Sequence, residues 1–289
     1  MRSLGKQSWL VVTLLLAATS ISAQQALTAE QLIAKMREAA GITPAPNTVD
    51  TIKAGDLQTV VTGVASTITP TMDVLRKAVA AHDNLVITHE PTFYNHLDQD
   101  TLVKNDPVYQ EKLKYIQDHK LVVFRWHDGA HMHQPDFIME GWKQKVGWAS
   151  AQRNPREPML YTTAPTTVRA LADSLRAKTG AKVVRVIGDP NLKVTKIAYA
   201  PGAPGPAPQI AALERDDVEV LVGGEIPEWE TIAYAWDAQQ QGRHKALILM
   251  GHYTSEEPGM DNFANWLRKT MPGLRVDFIP AGEPYWLAR

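Results

Sequence analysis

The sequence predicts an α/β protein of two similar lobes with mixed, largely parallel sheets. Strand-like and helix-like segments alternate along the chain, and the strands include short apolar runs such as Leu85-Val-Ile-Thr88. The two halves also repeat a similar strand–helix rhythm. The expected division is a leader over residues 1–23, an N-terminal lobe over 24–150 and a C-terminal lobe over 151–289.

The leader is read from its chemistry. Arg2 and Lys6 precede the stretch Trp9–Ala18, apolar except for Thr13, and Ile21-Ser22-Ala23 offers the small residue at which a signal peptidase cuts. An apolar run of about ten residues is too short to span a bilayer of roughly 30 Å as a helix. The expectation is an exported protein, periplasmic or secreted after cleavage, with no stable membrane anchor and no cysteine for lipid attachment.

In the N-terminal lobe, Thr28-Ala-Glu-Gln31 is a capping box, Leu32, Met36 and Ala40 share one helical face, and Gly41 ends the helix. Thr59–Ser66 alternates as a strand does, and Pro70 opens a helix to about His82. Leu85–Thr88 is a buried strand ending at His89; Asp106-Pro107 caps a helix to about His119; the strand Leu121–Phe124 ends near His127; a helix over Asp136–Val146 closes the lobe. Ala151–Pro158, polar and carrying two prolines, reads as a linker. Beyond it the pattern gives strands at Met159–Thr162, Lys182–Ile187, Lys193–Ala200, Val218–Val222, Ala246–Met250 and Leu274–Phe278, with helices at Thr166–Lys178 and between the later strands.

Composition narrows the function. Without Arg2 and Lys6 the chain holds 28 basic residues against 31 acidic ones, a net charge of −3. That balance excludes a basic nucleic-acid-binding surface. There is no cysteine, so disulfides and thiolate ligands are both excluded, and any metal must rest on imidazole and carboxylate.

Three segments carry chemistry, each just after a predicted strand, where sites form in open α/β sheets. They are Ile87-Thr-His89-Glu90-Pro91, Trp126-His127-Asp128-Gly-Ala-His131-Met-His133, and Gly251-His252-Tyr-Thr-Ser-Glu256-Glu257-Pro-Gly259. Five of the nine histidines lie in them, most within a few residues of a carboxylate, which scattered surface histidines would not do. His252 and Glu256 are four apart, as are His127 and His131, whereas His131 and His133 alternate as along an extended segment. With Pro258 as the start of the next helix, the His252–Glu256 stretch is a loop or a first turn. Imidazole nitrogen and carboxylate oxygen are what zinc, iron, manganese and nickel accept. The residues alone leave open whether Asp128 and His133 bind metal, and whether His127 binds it or only donates to a carboxylate. Glu225, after Gly223-Gly224, either lines the site or caps the following helix. The Pro201–Pro206 loop lacks the spacing and lysine of a phosphate loop and reads as a turn. Trp229, Trp236 and Trp266 fit core or subunit packing.

The order and context of these segments resemble the NGG-interacting-factor-like dinuclear metal-centre family, many of whose members carry a GTP cyclohydrolase type-two label. The likeness runs from Val60–Ser66 through His89-Glu90-Pro91 to Gly251-His252-Tyr253-Thr-Ser255-Glu256, whose glycine–histidine–tyrosine–x–Ser–Glu signature is its most specific part. The resemblance implies two-lobed subunits, a toroidal homohexamer, and two divalent metals between the lobes. It makes His89, His252 and Glu256 ligands outright. Glu90 stands where the family usually has a second histidine, and His131 where it has an aspartate four residues after a histidine. Both replacements are competent ligands. Because histidine cannot bridge two metals, that role falls to Glu256, Glu90 or Asp128, and one tight plus one weak ion is the expectation.

The resulting functional expectation is a metal-dependent hydrolase of a small-molecule substrate, with His127 and Glu225 as the candidates for proton transfer. The alternative is a non-catalytic metal-binding or metal-handling protein using the same residues. GTP, which the family label suggests, ranks last: the export signal opposes it, and neither a basic cluster nor a phosphate loop lies near the ligands.

Overall fold

Alternation along the central strands assigns every other side chain to an opposite face of a sheet, so layers of helix must cover both faces. The computed structural model describes residues 26–154 and 156–288. The expected leader lies outside the described residues. In chain order the first part runs α1 (Ala29–Ala40), β1 (Ile52–Ala54), β2 (Val64–Thr67), α2 (Met72–Ala80), β3 (Leu85–Thr88), α3 (Pro107–Asp118), β4 (Val122–Arg125), α4 (Asp128–Met132) and α5 (Phe137–Val146). The second part runs β5 (Leu160–Thr167), α6 (Val168–Thr179), β6 (Arg185–Ile187), β7 (Lys193–Ala200), α7 (Pro206–Glu214) and β8 (Val220–Gly223). A π-helical turn (Glu228–Ile232) then leads into α8 (Ala233–Gln240), β9 (Ala246–Leu249), α9 (His252–Thr270) and β10 (Val276–Phe278).

The strands form two five-stranded mixed sheets, ordered β1-β4-β3-β2-β10 and β5-β7-β8-β9-β6. In the first, β4, β3, β2 and β10 are parallel and β1 is an antiparallel edge. In the second, parallel β7, β8 and β9 lie between antiparallel β5 and β6. Val64, Leu85, Ile87, Val122 and Phe124 face a core with α1, α5 and α9, while Ala65, Val86 and Val123 face α2 and α3. The second sheet turns Ile197, Tyr199, Val220, Val222 and Ile248 toward α5 and α6, and Ala198, Leu221 and Leu247 toward α7 and α8.

Helix α5 belongs to both cores. Phe137 and Ile138 pack in the first and Met139, Trp142 and Val146 in the second, which is why this helix is apolar around most of its girth. The chain also returns from the second sheet to the first. Met260, Phe263, Ala264 and Leu267 of α9 complete the first core, and β10 pairs with β2. The last helix and strand of the expected C-terminal lobe over 151–289 are therefore structural parts of the first sheet's layer.

Local sequence rules hold at several ends. The Thr28–Gln31 capping box forms, Gly41 closes α1 in the left-handed region, and Asp106 and Asp136 cap α3 and α5. Two expectations change. The strand anticipated over 59–66 is shorter, because Val60 and Val61 bond instead to the segment before α1. Helix α9 starts at His252 and passes through Pro258, rather than beginning after it. Proline there forgoes one backbone hydrogen bond, a cost offset by the buried face that follows.

Helices α5 and α9 cross at glycine. A Cβ on Gly141 would collide with the Pro258 carbonyl and lie 2.5 Å from the Cα of Gly259. Gly141→Ala must therefore push the helices apart and is expected to cost about 1–3 kcal/mol. Urea unfolding measures it, and an unchanged midpoint would show that the contact tolerates a methyl group.

Candidate metal centre

Parallel strands deliver their following loops to one edge of a sheet, and here the carboxyl ends of both sheets supply the same cluster. Strand β3 hands on to His89 and Glu90, β4 to His127 and α4, β8 to Glu225, and β9 to the first turn of α9, which carries His252 and Glu256. His89, Glu90 and Glu256 are buried; His127, His131 and His252 are partly exposed.

The geometry is mutual. His252 Nε2 lies 3.1 Å from Glu256 Oε2 and 3.3 Å from Glu90 Oε1. His89 Nε2 lies 3.6 Å from Glu256 Oε2 and 4.0 Å from Glu90 Oε1, and His127 Nε2 is 3.9 Å from the same Glu90 oxygen. Two trios have donor atoms all within 4.8 Å of one another, His89–His127–His131 and His89–Glu90–Glu256.

Each of the four imidazoles has its Nδ1 engaged. His89 Nδ1 donates to the Trp126 carbonyl (3.3 Å), His127 Nδ1 to Asp128 (3.0 Å), His131 Nδ1 to Asp136 (3.1 Å) and His252 Nδ1 to Glu225 (3.1 Å). That leaves Nε2 as the nitrogen turned to an ion on every ring, the orientation in which metal-binding histidines are usually held. His89 Nε2 and Glu256 Oε2 are buried and have no hydrogen-bond partner. Buried polar atoms are rarely left so, and a cation between these two would satisfy both. The residues present fit a divalent ion.

Electrostatics agree. Burial, reinforced by His127 and His131, holds the His89 pKa well below the ordinary imidazole value, so the ring is neutral and its Nε2 lone pair available. For His252 burial opposes the charge, but the Glu256 and Glu90 carboxylates, 3.1 and 3.3 Å from Nε2, outweigh it and push the pKa up to about 11. Burial likewise opposes the charge on Glu90, yet His252 at 3.3 Å and the neighbouring imidazoles bring its pKa down to about 2. The two carboxylates thus form a strong sink for positive charge.

All five sequence-predicted ligands come together, and the open cases separate. Asp128 is occupied with His127, the Thr48 hydroxyl (2.8 Å) and the Val49 amide (3.2 Å), so it orients an imidazole. His133 bonds to the Pro135 carbonyl and stacks on Phe137, facing away from the cluster. The extended reading of His131–His133 is therefore replaced by α4, a helical turn that brings His127 and His131 to one face. Glu225 does not cap a helix; it bonds to His252 and lines the adjoining cavity.

Several residues escaped sequence reasoning. Asp50 accepts from the backbone N–H groups of His127, Asp128 and Gly129 at 2.7–2.9 Å, fixing the start of α4. Arg125, fully buried, donates through Nε to the His89 carbonyl (3.0 Å) and lies 3.7 Å from Glu90 Oε2, leaving Oε1 to the imidazoles. The loop read as a turn, Pro201–Pro206, packs on the site: Gly202 has a φ of 61°, and a side chain there would strike the Glu256 carboxylate. Asp136, read only as the start of a helix, holds the His131 ring. Asp50, Arg125 and Gly202 carry no local signal for their roles, because each acts across a long sequence separation.

The sequence profile of the Duf34/NIF3 family (NGG1p interacting factor 3) matches residues 30–284. No curated protein matches. Among solved structures, a Staphylococcus aureus protein superposes with a TM-score of 0.70 at 18% identity, covering 91% of this chain and 99% of its own. A Bacillus cereus protein related to NIF3 gives 0.71 at 12% identity, with 92% and 100% covered. A Thermus thermophilus protein gives 0.61 at 16% identity, with 90% and 100% covered. At these identities the likeness is one of fold.

Proposed function

Because the chain belongs to the Duf34/NIF3 family, we propose that its imidazole–carboxylate cluster holds one or two divalent ions, of zinc, iron, manganese or nickel, and serves a metal-dependent hydrolase. The observation that carries this reading is the common orientation of His89, His127, His131 and His252, each tied at Nδ1 with Nε2 left free. His89, Glu90, His131, His252 and Glu256 are the proposed ligands. Both ligand-competent trios contain His89, which can bind only one ion, so one tight and one weak site is the expected stoichiometry.

A divalent ion supplies an acidified water and polarises a carbonyl or phosphoryl oxygen. The chain's own residues do the rest. His127 has Nδ1 held by Asp128, which stabilises a proton on the ring while Nε2 takes one up or gives it back. Glu225 keeps one oxygen on His252 and lines, with His252 and Glu90, a cavity of about 660 Å³ that can admit a small molecule. Self-association is part of the reading. Trp229 and Trp286 are each 82% exposed and Trp236 is 58% exposed, apolar surface that a partner subunit could cover, and a homohexamer is the assembly the family resemblance implies. Export to the periplasm or medium rests on the leader alone. No helix among the described residues is long and apolar enough to cross a membrane.

Elemental analysis of natively purified protein beside His252→Ala, followed by assays on esters, amides, phosphates and cyclic nucleotides, tests the proposal. Metal in the wild type, lost in the variant, with metal-dependent turnover is the expected result. Metal without turnover on any class would leave a metal-handling protein, and no metal at all would sink both readings.

A further inference from the structure

The cavity beside the cluster has a second polar wall that the proposed ligands do not use. It is formed by the loop after β3 and by Lys112 of α3. Lys112 is only 4% exposed, and its Nζ donates to the Thr92 carbonyl at 2.7 Å. No carboxylate among the described residues pairs with it. Its other neighbours are the rings of Tyr94 and Phe93, whose centroids lie 5.1 and 5.9 Å from Nζ. Asp98, the acid whose field it feels, is engaged elsewhere: Oδ2 lies 3.4 Å from Lys53 and 3.7 Å from Arg125, and Oδ1 accepts from the Thr92 and Phe93 amides at 2.6 and 2.7 Å.

Thr92 lines the same cavity, and its hydroxyl is buried with no hydrogen-bond partner. An ammonium withdrawn from water without a carboxylate, beside an orphaned hydroxyl, is unfavourable unless something anionic completes it. Burial, partly countered by Asp98, brings the Lys112 pKa down to about 8, so the group is still largely charged at neutral pH.

We propose that Lys112 and Thr92 form an oxyanion-binding subsite in the cavity shared with Glu90 and His252, and that the substrate carries a phosphate or carboxylate group seated there. This deepens the hydrolase reading and rests on it for the word substrate; the anion subsite itself does not require a metal. Aromatic and aliphatic neighbours, Tyr94 and Met72 among them, suit an apolar body attached to the anionic group.

Calorimetric titration of phenyl phosphate, phenylacetate and benzyl alcohol tests the subsite, using zinc-loaded and chelator-treated full chain. Wild type is compared with Lys112→Met and Lys112→Gln, the glutamine retaining a donor for the Thr92 carbonyl should methionine fail to fold. At least one of the two oxyanions is expected to bind in both metal states, and each variant is expected to weaken it tenfold or more with zinc content unchanged. Preference for phenyl phosphate over phenylacetate, or the reverse, identifies the anionic group. Affinity for both oxyanions equal in wild type and Lys112→Gln, no oxyanion binding by wild type, or benzyl alcohol binding as tightly as the anions would overturn the subsite. Failure of wild type to take up zinc would instead sink the metal reading, while the chelated arm still decides the subsite.

Discussion

Glu256→Gln is expected to lower metal affinity by more than the roughly 10–100-fold typical of losing an outer partner of a metal ligand. The carboxylate lies 3.1 Å from His252 and 3.6 Å from His89, its Oε2 is buried without a partner, and it joins ligands delivered by both sheets. Glutamine keeps the shape that fills the space against Gly202 but removes the charge that attracts the ion. The fold should survive, since no hydrogen bond to the Glu256 carboxylate holds an element in place. Glu257→Gln is the control: that side chain accepts from the Ala281 amide at 2.7 Å, outside the cluster. Competition against a chromogenic chelator gives both affinities. Equal affinity in wild type and Glu256→Gln would remove Glu256 from the ligand set.

Removing the metal should lower the melting temperature by about 8–16 °C. A ligand that binds only the native state at a thousand times its dissociation constant adds about 4.1 kcal/mol, and for domains of 150–250 residues each kcal/mol moves Tm by about 2–4 °C. Differential scanning calorimetry with and without chelator at pH 7.5 measures the gap. The gap should narrow as pH falls. His252 in the metal-free fold holds a proton up to about pH 11, and an ion bound at Nε2 must displace it, so apparent affinity drops about tenfold for each pH unit.

Without metal the imidazoles oppose one another. His89 is kept neutral in the fold, so its contribution is complete above the unfolded value near 6.5 and is lost as pH falls from there toward its depressed folded pKa. His252 acts in the other sense: its contribution is complete below about 6.5 and fades as pH rises toward about 11. Glu90, held at about 2, contributes above its unfolded value near 4.5 and is lost only between there and 2. The metal-free melt should therefore peak near pH 6.5 and decline to either side, while the metal-loaded melt falls continuously as pH drops from 7.5 to 5.5. A chelator-insensitive Tm at both pH values would show that no ion stabilises the native chain.

The layers of this protein are readable in its sequence because strand and helix periods, caps and buried apolar runs are local properties. Leu85–Thr88 is a strand at the expected residues, and the Thr28 box and the Asp106 cap form as written. The candidate ligand types were also readable, since a chain without cysteine has only imidazole and carboxylate to offer, and His89, Glu90, His131, His252 and Glu256 all stand just past strands or in the turn that follows. Tertiary structure alone decided how they meet. Helix α9 leaves the second sheet and packs on the first, carrying His252 and Glu256 to His89 and Glu90, and Asp50, Arg125 and Gly202 fix the cluster from distant parts of the chain. Periodicity records which face of an element is apolar. It holds nothing about which other element that face will cover, and so the partners of each imidazole are determined only when the two cores close around α5.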